Sequence, residues 1–109
     1  HENTFSTDTD DCRFIFQRLN DLCQKIHERV VRHKLLFRTV TVKIRLQNFE
    51  THTHGKTLPF FTSRLQDLQK TAQKLAQDYF AQRNKKLRLV GVRVSNLKFV
   101  GEQGALLTR

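Results

Sequence analysis

The chain has no methionine and no tryptophan, one proline, four glycines and two cysteines among 109 residues. Beginning at His1 with no methionine anywhere, it is expected to be a piece cut from a longer protein. No apolar run approaches the roughly 20 residues that span a bilayer, and the first residues lack the basic-then-apolar pattern of a secretory signal. Neither a membrane helix nor export is expected. Cys12 and Cys23 fall in one candidate helix, roughly 16 Å apart along its axis, which excludes a disulfide between them. Both read as small buried apolar side chains of a reducing, cytoplasmic protein. Acidic residues are also few: 10 Asp+Glu stand against 20 Lys+Arg, a formal net charge of +10. That balance points to a polyanionic partner while saying nothing of the fold.

Apolar residues make up 38% and include nine Phe, enough for one packed core and too many for global disorder. A single domain over residues 1–100 followed by a tail, 101–109, is expected. The distribution of charge says more than its total. Residues 1–33 carry five basic and six acidic side chains, and residues 65–82 carry two of each. Residues 34–64 carry six basic and one acidic, and residues 83–109 seven basic and one acidic. The positive charge is therefore concentrated in the second and fourth blocks.

Those two blocks read as strands. Thr7, Asp8, Thr9 and Asp10 are candidate helix caps, because their side-chain oxygens can accept from the free first-turn amides. After them Cys12, Ile15, Phe16, Leu19, Leu22, Cys23, Ile26 and Val30 recur at steps of three and four, one stripe of an amphipathic helix ending near Arg32–His33. Residues 1–5 read as the tail of a truncated first strand. From Arg38 the period is two: Val40, Val42, Ile44 and Leu46 alternate with Thr39, Thr41, Lys43 and Arg45. A turn at Gln47–Asn48 leads to a second strand over 49–58, which places Thr51, Thr53, Gly55 and Thr57 on one side and His52, His54, Lys56 and Leu58 on the other. Pro59 is expected to end it. Thr62 or Ser63 then caps a helix whose stripe is Leu65, Leu68, Ala72, Leu75, Ala76, Tyr79 and Phe80. A break at 84–86 precedes a last strand over 87–97, with Val90, Val92 and Val94 on one face and Leu89, Gly91, Arg93 and Ser95 on the other. From Lys98 the pattern fades.

Strand, helix, strand, strand, helix, strand with right-handed crossovers implies an α+β fold, the ferredoxin-like split βαβ, with four strands and both helices on one face. The opposite face is left with Thr39, Thr41, Lys43, Arg45, Thr53, Thr57, Arg93 and Ser95: cations and hydroxyls, no carboxylate. Such a face suits a phosphate backbone. His52 and His54 share a strand face as two metal ligands can, but no further pair has ligand spacing, so no metal site is expected. Most aromatics read as core.

Residues 38–45 (RTVTVKIR), the run 49–59 ending in GKTLP, and residues 86–97 (KLRLVGVRVSNL) together resemble the little finger of Y-family translesion DNA polymerases, the DNA polymerase IV branch in particular. Residues 1–11 (HENTFSTDTDD) resemble that domain's first strand and its lead into the first helix. The resemblance covers nearly the whole chain. It implies a non-catalytic module, tethered by a flexible linker to a palm–fingers–thumb core, whose sheet lies in the major groove across template and primer backbones. Thr41, Lys43 and Arg45 match the exposed face of the family's second strand. Thr53, His54, Lys56 and Thr57 match its third, and Arg88, Arg93 and Ser95 its Arg-rich last. His54 stands where the family often has Arg, and Leu89 where some members carry a second Arg; both departures weaken the implied phosphate grip. The family's catalytic carboxylates and Mg²⁺ lie in the palm, so neither a catalytic residue nor a cofactor is expected here. The implied partners are duplex template–primer DNA, the catalytic core of the same polymerase and the sliding clamp. The implied setting is the cytoplasm, at the nucleoid, or the nucleus of a eukaryote, with the fragment a monomer. Gln103, Leu106 and Leu107 faintly echo a clamp-docking peptide without its terminal aromatic, and read rather as a frayed tail. Two other readings stand beside this one: a free-standing ferredoxin-like RNA-binding module, and a domain that docks on a clamp or a polymerase core.

Overall fold

The first helix starts at a later cap than the expected ones. The computed structural model describes residues 2–80 and 86–101, with the side chains of 10–79 and 86–101. In it Asp11 is the N-cap of α1 (Cys12–Arg32), and its Oδ1 accepts from the amides of Arg13 at 3.0 Å and Phe14 at 3.4 Å. Thr7, Asp8 and Thr9 belong instead to a first strand, β1 (Glu2–Thr9), longer than residues 1–5 suggest. Along α1, Ile15, Leu19, Leu22, Cys23, Ile26 and Val30 are buried as the spacing predicts. Burial pushes the Cys23 thiol up to about 12, so it stays protonated and unreactive. Cys12 is a correction: it is exposed. Asp10, Asp11 and Arg13 around it are exposed too, and the buried stripe begins about one turn later, at Ile15.

His33 caps the other end, its amide donating to the Arg29 carbonyl at 3.0 Å. Lys34 turns the chain with φ 56°, and β2 (Leu35–Leu46) follows, three residues earlier than the alternation suggests. Phe37, Val40, Val42, Ile44 and Leu46 of β2 are all buried. The return strand β3 (Thr51–Thr62) continues through Pro59, which does not end it. The physical reason is its place: β3 is an outer strand of the order β1-β4-β2-β3, where a missing amide costs no ladder hydrogen bond. The register also slips there, Phe37 pairing with Thr62 and Thr39 with Thr57, so residues 58–61 lie opposite Arg38 alone. Phe49, expected in β3, is in the turn.

Helix α2 (Leu65–Phe80) buries Leu68, Ala72, Ala76 and Tyr79. Thr62 serves its start from the end of β3. Its hydroxyl accepts from the Arg64 amide at 3.0 Å and donates to Asp67 Oδ2 at 2.7 Å. Strand β4 (Leu87–Ser95) ends before the expected 97, at a turn where Asn96 has φ 55°. The pattern does not fade at Lys98: β5 (Lys98–Phe99) pairs with Leu35 and Leu36, and the Val100 amide donates to the Lys34 carbonyl at 2.7 Å. His1, the expected break at 84–85, and Gln103, Leu106 and Leu107 lie outside the described residues.

The architecture is α+β, an antiparallel sheet of four main strands with two helices against one face, as the element order implies. α1 lies over β4 and β2, α2 over β2 and β3. One core fills the space between, drawn from both helices and from the inward residues of β2 and β4. The central pair of the sheet is β2 and β4, the strands from the two positively charged blocks.

Candidate nucleic-acid interface

Residues directly opposite one another on neighbouring strands share a face of the sheet, so the pairing register assembles the outer face row by row. Thr39 lies between Thr57 of β3 and Ser95 of β4; Thr41 between Gly55 and Arg93; Lys43 between Thr53 and Gly91; Arg45 between Thr51 and Leu89. Strands lie about 4.8 Å apart and alternate residues along one strand about 7 Å apart. Eight predicted residues, Thr39, Thr41, Lys43, Arg45, Thr53, Thr57, Arg93 and Ser95, therefore form one contiguous patch. Strands β2, β3 and β4 contain no Asp or Glu. Lys43, Arg45 and Arg93 thus present positive charge with hydroxyls interleaved, and the acidic residue this face gains from the sheet's remaining strand is Glu2 of β1, which pairs with Gly91 in the row of Lys43.

Hydrogen bonds order the patch. Arg45 Nε donates to Thr51 Oγ1 at 3.0 Å, which orients the guanidinium along the face. The hydroxyls of Thr39 and Thr57 are 2.9 Å apart, and Asn96 Nδ2 donates to the Thr39 hydroxyl. At Gly55 an added Cβ would meet Thr41 Oγ1 at 3.2 Å, closer than most such contacts, so glycine leaves the threonine hydroxyl unobstructed.

Three further predicted residues do not join this patch. His54 pairs with Val42 and Lys56 with Val40, which puts both on the helix side of the pleat. There His54 and His52 lie 5.5 and 5.6 Å from the Tyr79 ring, at the outer edge of the sheet. His52 Nε2 is 3.3 Å from Glu50 Oε2. Among the described residues no group of three or more His, Cys, Asp and Glu could hold a metal ion. Arg88 occupies a β-bulge: Arg45 pairs with Leu89 but Leu46 with Leu87, so one extra residue is inserted at 88. The bulge directs its guanidinium over Phe49, with Cζ 4.6 Å from the ring centroid.

One basic cluster was not legible in the sequence. Arg38 Cζ and Lys98 Nζ approach the Phe61 ring at 5.6 and 4.3 Å, and Arg38 Nε donates to the Leu58 carbonyl at 2.8 Å. It forms only because β3 continues past Pro59 and β5 returns to β2, and neither leaves a pattern in the sequence. On the helix side a cavity of about 230 Å³ lies between the end of α1 and the inner faces of β2 and β4. Ile26, Val30, Val92 and Val94 are among its walls, and it holds no carboxylate, hydroxyl or thiol.

The family model of the impB/mucB/samB family C-terminal domain matches residues 1–106. DNA polymerase IV 2 of Methanosarcina mazei is 35% identical over 105 residues, covering 96% of this chain and 28% of the relative. DNA polymerase IV of Methanoculleus marisnigri is 37% identical over 97 residues, 89% of this chain and 26% of the relative. The chain thus spans about a quarter of the length of these curated relatives. Among solved structures, an insertion ternary complex of Dbh DNA polymerase superposes with TM-score 0.81 at 17% identity, covering 91% of this chain and 28% of that one. The little finger domain of PolIV, solved in complex with the beta-clamp processivity factor, gives 0.70 at 22%, covering 87% and 84%. At these identities the two structures speak for the fold, and the fold agrees with the family match. The chain belongs to the impB/mucB/samB C-terminal domain family, and is a little finger domain of Y-family, DNA polymerase IV-like proteins.

Proposed function

We propose that this domain grips the backbone of duplex template–primer DNA, without sequence preference, on behalf of a lesion-bypass polymerase of which it is a part. The observation that carries this is the outer face of β2, β3 and β4: Lys43, Arg45 and Arg93 among six hydroxyl side chains, with no carboxylate in the three strands. Lysine and arginine neutralise phosphates and hydroxyls donate to phosphate oxygens, contacts that fix position and carry no sequence information. Thr39, Thr41, Thr53, Thr57 and Ser95 take the second part. Arg88, at the end of the same strand as Arg93, extends the grip toward the hairpin tip, while His54 and Lys56 reach the DNA only around the edge of β3. The names of the structural neighbours, a polymerase ternary complex and a clamp complex, support DNA and clamp as partners of the parent. Nucleotidyl transfer with Mg²⁺ would belong to the parent's catalytic core, outside this chain. The tether to that core would raise the local concentration of a domain that binds weakly alone.

The RNA-binding alternative needs aromatic side chains on the central strands for bases to stack on. The outer face of β2 and β4 offers Thr, Lys, Arg, Ser, Gly and Leu instead. Fluorescence anisotropy separates the readings. Labelled duplexes of unrelated sequence should bind alike, and about four phosphate contacts should weaken binding roughly a hundredfold between about 50 and 200 mM salt. Tighter binding of single-stranded RNA than of any duplex would favour the RNA module; indifference to salt would favour protein docking.

A further inference from the structure

The turn between β2 and β3 holds an aromatic residue in a backbone conformation that bulky residues rarely adopt. Phe49 has φ 70°. Its amide donates to the Leu46 carbonyl at 2.9 Å, and the Leu46 amide to the Glu50 carbonyl at 2.8 Å. Asn48 Oδ1 accepts from the Glu50 amide at 3.2 Å, and the Gln47 amide ties the turn to the carbonyl of Lys86, just before β4, at 3.0 Å. Four hydrogen bonds thus impose the strained residue, yet the ring it carries is not used in the core: it is 65% exposed. The bulge in β4 brings the Arg88 guanidinium over the ring at 4.6 Å. The last row of the outer face, Thr51–Arg45–Leu89, ends immediately before this turn.

An exposed aromatic plate with a cation on one side, placed at the end of a cationic, hydroxyl-rich face, matches one kind of ligand. It is a planar π system attached to a polyanionic backbone. Bases inside a duplex cannot reach such a plate, because their faces are covered by their neighbours; an unpaired base beyond the duplex end can. We infer that Phe49, backed by Arg88, stacks on an unpaired nucleobase next to the duplex, so that the domain prefers a duplex–single-strand junction to a plain duplex. This rests on the proposed DNA-binding role of the sheet face, and adds to it a site that senses where pairing stops. Every base has a π face, so the preference is for junction geometry and not for sequence.

The test uses a blunt duplex and the same duplex with a single-stranded overhang carrying 2-aminopurine beside the junction. The wild-type chain should bind the junction roughly tenfold more tightly than the blunt duplex, within the range of one base–aromatic stack, and should quench the 2-aminopurine. Phe49→Leu, which keeps apolar volume without a stacking face, should lose both effects and retain salt-sensitive binding of the blunt duplex; Phe49→Tyr should keep both. Thermal unfolding of each variant checks the fold, and the wild-type quenching decides the matter even if a variant unfolds. Blunt-duplex binding without junction preference or quenching would overturn this inference alone. Failure of the wild-type chain to bind the blunt duplex in a salt-dependent way would overturn the reading beneath it.

Discussion

Replacing Lys43, Arg45 and Arg93 together by alanine is expected to lower duplex affinity and flatten its salt dependence by about 2.7 in log–log slope, one phosphate contact per cation. Across a fourfold change in salt that corresponds to roughly fortyfold less sensitivity. The fold should survive. All three side chains lie on the outer face, opposite the core, and the hydrogen bond from Arg45 to Thr51 that is lost is on the surface. A matched control moves the same charge elsewhere. Lys25 of α1 and Lys70 and Lys74 of α2 are exposed on the helices, and Lys74 pairs with Asp78 at 3.0 Å. Lys25→Ala/Lys70→Ala/Lys74→Ala should leave the slope nearly unchanged. If both triple variants lose binding equally, net charge and not the sheet face attracts the DNA.

The largest effect on stability is expected at Phe37. It heads the fully buried side chains by volume and lies near the start of β2, opposite Thr62 of β3. Phe37→Ala removes most of a large apolar side chain and leaves a cavity that the sheet and helices cannot readily close, at a cost of about 3–5 kcal/mol. For a domain whose total stability is of order 5–15 kcal/mol, that is a large fraction. A denaturant titration reads it as a lowered midpoint at an unchanged slope. The position matters for function as well, because β2 alternates between core and outer face. Val40, Val42 and Ile44 pack inward while Thr39, Thr41, Lys43 and Arg45 face out, so the core fixes the strand that carries the cations.

The sequence made this alternation legible because half-buried strands and amphipathic helices impose strict periods. β2, the stripe of α1 and the stripe of α2 follow directly from them. So does the pairing of Thr51, Thr53, Gly55 and Thr57 with the outer face, once β2 and β3 form a hairpin. What the sequence hid are features decided by neighbours in space. Pro59 reads as a strand end unless the strand is known to be an edge. The bulge at Arg88 appears only in the register between β2 and β4, and it re-aims a side chain that simple alternation cannot direct. Cys12 continues the helical stripe in the sequence, but it is exposed and burial along the helix starts at Ile15. His54 and Lys56 come into the site by family resemblance, while the two-residue period already assigns them to the other side of β3, where the register puts them.

The most direct test of the central claim is an amide chemical-shift titration of the ¹⁵N-labelled chain with a short duplex. Shifts are predicted along Thr39–Arg45 of β2, at Thr53 and Thr57 of β3 and from Arg93 to Ser95 of β4, with Lys25, Lys70 and Lys74 on the helices unmoved. Shifts confined to α1 and α2, with the outer face of the sheet unchanged, would contradict it.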